Sequence, residues 1–280
     1  MARFTTDTYE LEVFTDAGPR ISHYGLRGGA NLLVELPDAS IRLEDGRDFQ
    51  LRGGHRLWTA PEVPQRTYVP DDAPCVVTSA TRTVSAVQPA PAEFPIERSI
   101  SVSAGTKGVE VTHRLTNRSD TTIRLAPWAV TQLVPGGVAI MPLDDRLSDA
   151  HGLQPNRELV AWPYTDLGAL SHRNGVVMVS GDQATPLKVG TPLTRGWLAY
   201  LAGKTMFIKR VTHQPDATYV DRGASGQIYA NSEFVELETL GPLVDLEPSA
   251  TTSHDEWWEL HRVGTNDPVT ALREAGVLDS

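Results

Sequence analysis

What most limits the folds open to this chain is the recurrence, along nearly all of its 280 residues, of short runs alternating apolar and polar residues, each closed by a turn signal. Alternation with period two marks strands, because successive side chains of an extended chain point to opposite faces. The clearest case is the hairpin pattern Ile96–Ser103, Gly105-Thr-Lys-Gly108, Val109–Leu115: strand, glycine-rich turn, strand. Asn117-Arg-Ser-Asp120 turns the chain again into Thr121–Leu125, which predicts a meander of long antiparallel strands. Comparable runs are Glu10–Phe14, Arg20–Tyr24, Asn31–Val34, Ile41–Gly46 and Cys75–Val87. Later come Gly175–Ser180, Leu187–Gly190, Gly196–Leu201, Thr205–Val211, Gln227–Tyr229 and His254–Val263. Ala126–Pro135, apolar almost throughout, reads as a strand buried on both faces. One helix is expected, with Asp267 as N-cap, Pro268 in the first turn and Gly276 as the stop. Roughly fifteen or more short strands, with no linker and no fixed-period repeat, predict an all-β class. The expected architecture is one domain over residues 1–280, two large antiparallel sheets packed face to face, and a short C-terminal helix.

One strand of this set carries chemistry. In Phe234-Val-Glu-Leu-Glu-Thr-Leu240, Phe234, Glu236 and Glu238 fall on one face, Val235 and Leu237 on the other. If the first face lines a cavity, two carboxylates enter it from a rigid support, as general acid/base chemistry requires. The same alternation also describes an ordinary solvated strand face.

Composition removes several classes of function. The formal net charge of -10 and the scattered arginines argue against nucleic acid as a partner. A hydrophobic fraction of 40% and a mean hydropathy of -0.25 fit a globular chain, and no run reaches the ~18 apolar residues of a membrane span. Met1-Ala-Arg-Phe-Thr-Thr-Asp7 lacks the apolar core of a secretion signal, so a cytoplasmic location is expected. The single cysteine, Cys75, excludes an internal disulfide; its acidic and apolar neighbours should raise the thiol pKa, which suits a structural residue. No phosphate loop, dinucleotide fingerprint, His-Glu-x-x-His or Gly-x-Ser-x-Gly motif occurs, and the eight histidines are dispersed, so neither a cofactor nor a metal is expected.

Two other segments mix residue types in a way that suits a site. Leu51-Arg-Gly-Gly-His-Arg-Leu-Trp-Thr-Ala-Pro-Glu62 has little simple periodicity and is expected to wrap across a sheet, serving a site or a buried polar network. Gln154–Asp166 is expected to follow a polar loop between Asp144 and Gly152, and it gathers Arg157, Trp162, Tyr164 and Asp166. Rings that stack on a pyranose and charged groups that fix hydroxyls suit a carbohydrate; loop packing under a sheet is the alternative. Lys209 shares a face with Phe207 and Val211, so its ammonium either snorkels or enters a polar cavity. His113, alternating with Val111 and Leu115, reads as a packed or solvated strand residue.

Taken together, Gly53–Glu62, Pro155-Asn-Arg157, Trp162–Asp166, Lys209, Tyr219-Val-Asp221 and Glu236–Leu243 resemble a bacterial family related to the galactose mutarotases, or aldose 1-epimerases. The resemblance implies a β-supersandwich with a sugar cleft on one concave sheet, and a small-molecule carbohydrate as partner. It implies a late glutamate acting as base on the anomeric hydroxyl: Glu238 is the first choice and Glu236 the second. The family's acid is a histidine flanked by aromatics. This chain departs from that pattern, since His55 is the only histidine in a comparable cluster; Lys209 or Tyr219 are the substitutes. Substrate contacts are expected from Arg56, Trp58, Glu62, Arg157, Trp162, Tyr164, Asp166, Lys209, Tyr219 and Asp221.

The implied reaction is proton transfer: a base removes the O1 proton, an acid protonates O5, the ring opens, and the aldehyde recloses on its other face. No cofactor is needed. Two alternatives stay open, a polysaccharide or uronate lyase using Tyr219 or Tyr164 with Arg157, and a sugar-binding regulator without turnover. Which sugar is bound and the oligomeric state stay open.

Overall fold

The expected strands assemble, in a computed structural model that describes residues 1–143 and 152–279, into two ten-stranded antiparallel sheets. The first runs in spatial order Ala2–Thr5, Tyr9–Phe14, Arg20–Leu26, His55–Ala60, Ile123–Leu133, Val235–Leu240, Gly226–Ala230, Leu187–Thr191, Val160–Ala161. Val244–Leu246 adds to the free length of Ile123–Leu133. The second runs Leu170–Arg173, Val176–Ser180, Val138–Pro142, Trp197–Ala202, Thr205–Val211, Thr251–Arg262, Val109–Asn117, Ile96–Ala104, Thr83–Gln88, Val76–Ala80. The expected loop from Asp144 to Gly152 lies, apart from Gly152, outside the described residues.

Three apolar clusters follow from alternation. Leu57, Leu187, Val189, Ile228, Val235 and Leu237 of the first sheet meet Val102, Val111, Leu198, Phe207 and Trp258 of the second, forming the central core. The opposite face of the first sheet packs Trp58, Trp128, Val130, Phe234 and Leu240 against Phe49 and Leu51 of a separate hairpin, Glu35–Arg42 with Asp48–Gly53. The outer face of the second sheet receives the helix Pro268–Glu274 through Val269, Ala271 and Leu272. That helix begins as expected: Asp267 Oδ1 accepts from Thr270 N at 2.9 Å, and Gly276 closes it at φ +71°.

Two segments depart from expectation. Leu51–Glu62 does not wrap across a sheet. It supplies the edge of the hairpin and then His55–Ala60, an inner strand whose every residue is buried. Periodicity is hidden there because both faces are covered, one by the core and the other by the hairpin. The kink between them needs Gly53 and Gly54, both at φ +76°; a Cβ would stand 2.0 Å from the Val34 carbonyl oxygen at the first and 2.4 Å from that of Ile21 at the second. Asn31–Val34 keeps only a bridge from Leu33 to Leu133, because the Asn31 side-chain carbonyl accepts from Tyr24 N and Leu33 N where a ladder partner would stand. Leu237→Ala should test the core beneath the carboxylate strand: truncating this fully buried side chain should cost about 2–5 kcal/mol by urea denaturation.

Candidate active site

The outward-facing rows of the first sheet are set by register. Gln132, Glu236, Tyr229 and Lys188 stand opposite one another across four neighbouring strands. The next row is Arg20, Arg56, Val130, Glu238 and Gln227. Polar and charged groups thus come together on one face while each strand buries Leu, Val or Ile on the other. The first row floors a cavity of about 330 Å³, walled by Trp58, Tyr68, Trp128, Tyr164 and Phe234 and by Ile41 and Leu51 of the covering hairpin.

The two glutamates, both removed from water, differ in their partners. Glu238 is fully buried; its Oε2 accepts from Lys188 Nζ at 2.8 Å and from Trp128 Nε1 at 2.7 Å. The Lys188 ammonium lies 4.8 Å from the Trp128 ring centre and 4.9 Å from that of Trp162, so rings as well as a carboxylate neutralise it. Burial pushes the Lys188 pKa down, but Glu238 and its hydrogen bond outweigh that, and the net shift is upward. Glu236 borders the cavity and accepts from Gln132 Nε2 at 2.9 Å. Burial, and then the neighbouring Glu238 charge, push its pKa up to about 8, so this carboxyl is largely protonated near neutral pH. Behind it, Arg56 sits beside Phe49 and Trp58, its pKa lowered to about 9 by burial and then by Arg20.

Of the residues singled out by sequence, Trp58, Glu62, Tyr164 and Glu236 line the cavity. Trp162 flanks it through Lys188, and Arg56 and Glu238 lie directly behind the lining. Asp221 accepts from Gln227 Nε2 at 2.8 Å, one strand from Glu238. Asp166 caps a short 3-10 turn by accepting from Gly168 N, Tyr219 stacks on His213 with ring centres 5.1 Å apart, and Arg157 is exposed; none of these three lines the cavity. Lys188, Trp128, Gln132, Tyr229 and Tyr68 were not foreseen. For the first four the signal was a polar or aromatic residue at the outward position of an expected strand, whereas Tyr68 follows the short helix Pro64–Thr67 and had none.

His55 and Lys209 are brought together with each other, on the far side of the same sheet. Among the described residues no histidine lines the cavity. Lys209 Nζ reaches through the core to the carbonyls of Ala129 and Leu237 at 3.2 and 3.1 Å, to Thr131 Oγ1 at 3.0 Å and to Glu256 at 2.9 Å. His113 Nδ1 donates to the His254 carbonyl, so its Nε2 accepts from His55 Nε2 at 2.7 Å; His55 Nδ1 then accepts from the Thr131 hydroxyl. Thr239 receives from His254 Nε2 at 2.8 Å and donates to Glu256. Burial lowers the pKa of all three histidines, that of His254 to about 4, which keeps them neutral.

The ligand atoms of His55, His113 and Glu256 lie within 4.8 Å of one another. They do not fit a divalent ion, because the two ring nitrogens already share a proton and Lys209 already supplies the cation beside Glu256.

No family model and no curated protein matches the sequence. Solved structures match in fold. A galactose mutarotase-like protein from Lactobacillus casei has a TM-score of 0.61 at 11% identity, over 93% of this chain and 100% of that one. A Synechocystis protein gives 0.64 at 12%, over 93% and 95%. A candidate aldose 1-epimerase from Escherichia coli gives 0.56 at 12%, over 93% and 98%. The chain therefore has the galactose mutarotase-like β-supersandwich that its sequence led us to expect, and at these identities the likeness is one of fold. No helix among the described residues is long and apolar enough to cross a membrane.

Two stability measurements probe this site. Between the ordinary carboxyl value of 4.5 and about 8, folded Glu236 holds a proton that the unfolded chain has released. The stabilisation is complete below about 4.5 and is lost as pH rises to about 8. Glu236→Gln abolishes this loss, so its stability by urea denaturation should gain on wild type across that window, by up to about 5 kcal/mol. Lys209→Met strands the Glu256 carboxylate and should cost about 3–5 kcal/mol, part of which Glu256→Leu in the same chain should recover.

Proposed function

We propose that the cleft binds an aldose or sugar derivative and interconverts its anomers by proton transfer. The observation that carries this reading is a carboxyl, Glu236, protonated into the neutral range on the wall of a cavity lined by Trp58, Trp128, Tyr164 and Phe234. O1 and O5 of a pyranose are both bonded to C1, so one carboxyl can serve both. Its proton passes to O5 as the C1–O5 bond breaks, its other oxygen takes the proton of O1 as the C1–O1 double bond forms, and the carboxyl is regenerated. Reclosure on the opposite face reverses each transfer. Lys188, Trp128 and Glu238 then fix the floor on which the ring rests. The fold, shared with mutarotase-like proteins, supports the same reading as analogy.

A sugar-binding protein without turnover is the second reading, favoured by the complete burial of Glu238 and its commitment to Lys188 and Trp128. A uronate lyase has less support, since Lys188, the cation lining the cavity among the described residues, is already paired with Glu238.

Saturation-transfer NMR on a panel of aldoses and uronic acids tests the proposal. Wild type should accelerate anomer exchange of at least one sugar, with a rate that declines above pH about 8 as Glu236 loses its proton. Glu236→Gln should reduce the acceleration by about 100-fold or more. Line broadening without acceleration for every sugar would establish the binding reading instead.

A further inference from the structure

Glu236 is not alone beneath the cavity: it ends a chain of hydrogen bonds that starts at an arginine sealed from solvent. Arg56 is 1% exposed, and its Nη2 donates to Gln132 Oε1 at 3.2 Å. Gln132 Nε2 in turn donates to Glu236 Oε1 at 2.9 Å. An arginine has donors only, so the amide oxygen must face it and the amide nitrogen must face the carboxyl. The Nε and Nη1 atoms of Arg56 are buried without a partner among the described residues, while the rings of Phe49 and Trp58 lie 5.6 and 5.0 Å from its guanidinium carbon. A cation held at that cost in the second layer points to a task beyond packing.

We propose that Arg56 is a positioning residue: by fixing the Gln132 amide it makes Glu236 Oε1 the acceptor and leaves the carboxyl proton on Oε2. The inference rests on the reading of Glu236 as the reacting group. It goes further in assigning the two oxygens different tasks, Oε2 giving the proton to O5 and Oε1 taking the proton of O1. Without Arg56 the amide is free to rotate, its oxygen can trap the carboxyl proton, and the two tasks are no longer separated. The other charged or titratable groups bearing on Glu236 are Glu238 on its own strand, Tyr229 from the adjacent strand, Lys188 from the strand beyond it, and Glu62, Tyr68, Tyr164 and Glu233 from the cavity lining.

The experiment follows the Glu236 carboxyl carbon by NMR in protein labelled with 13C-glutamate, the signal being assigned by its loss in Glu236→Gln. Arg56→Met and Gln132→Met should each raise the Glu236 midpoint by about half a unit to one unit, since the first frees and the second removes the amide donor that favours the ionised form. The double variant should shift no further than either single one, because both act through one hydrogen bond. Arg56→Lys, which restores a donor, should return the midpoint toward wild type. An unchanged midpoint in Arg56→Met, or a double shift equal to the sum, overturns the proposal, the latter showing that Arg56 acts through its field alone. Should Arg56→Met not fold, Gln132→Met decides: it removes the amide donor and should raise the midpoint, whereas an unchanged or lowered midpoint would mean that the amide nitrogen does not face the carboxyl and would overturn the proposal. These titrations need no turnover, so a protein that binds sugar without mutarotation would sink the functional reading while leaving the hydrogen-bond relay measurable. If turnover is found, Arg56→Met should lower kcat with little change in KM.

Discussion

The structure depends on how two buried ammonium groups approach one strand. Lys188 meets Val235–Leu240 from the cleft, on the Glu238 carboxylate; Lys209 meets it from the core, on the Leu237 carbonyl, and carries Glu256 with it. A charge removed from water must find an opposite charge and hydrogen bonds, and that demand fixes more geometry than apolar packing does. Leu237 and Val235 would tolerate a small shift of the strand; a lysine clamped on each side would not. The carboxylates are therefore held on the most constrained element of the first sheet, which is the support that proton transfer needs.

The same strand also separates two electrostatic regimes. On the cleft side two carboxyls face one nearby lysine, which is bonded to Glu238, while the charge of Arg56 acts on Glu236 more weakly, and the negative charge of Glu238 adds to burial in raising Glu236. On the core side Glu256 stands alone against Lys209 with three histidines around it. Burial by itself would raise its pKa, yet the Lys209 ammonium in contact holds it well below the ordinary carboxylate range. Burial is near complete in both places, so the direction of the shift is decided by the count of neighbouring charges. One side yields a carboxyl that carries a proton at neutral pH, the other a permanent anion.

The strand pattern, the sandwich, the helix at Asp267–Gly276 and the facing of Glu236 and Glu238 were legible because each rests on local alternation or capping. His55 was not legible. In Gly53-Gly-His-Arg-Leu-Trp it neighbours three residues of which two, Arg56 and Trp58, do belong to the cleft, and only the strand's phase tells them apart. That phase was hidden because both faces of His55–Ala60 are covered. Lys188 was hidden for a related reason: in the expected strand Leu187-Lys-Val-Gly190 nothing local shows that Trp128 and Trp162, distant in sequence, close over it.

The position of the histidines bears on chemistry as well as on prediction. His55, His113 and His254 are each tied by ring nitrogens to a hydroxyl, a carbonyl or one another, and each tautomer follows from its neighbour's. A proton added to His55 would turn its Nδ1 into a donor facing Thr131, whose oxygen already accepts from Lys209 and whose own proton would lose its acceptor. Such a group resists protonation and cannot act as the acid for a sugar on the other side of the sheet. Burial raises the pKa of Tyr68, Tyr164 and Tyr229 around the cleft and so weakens them as acids, which leaves the Glu236 carboxyl as the strongest acid protonated there at neutral pH.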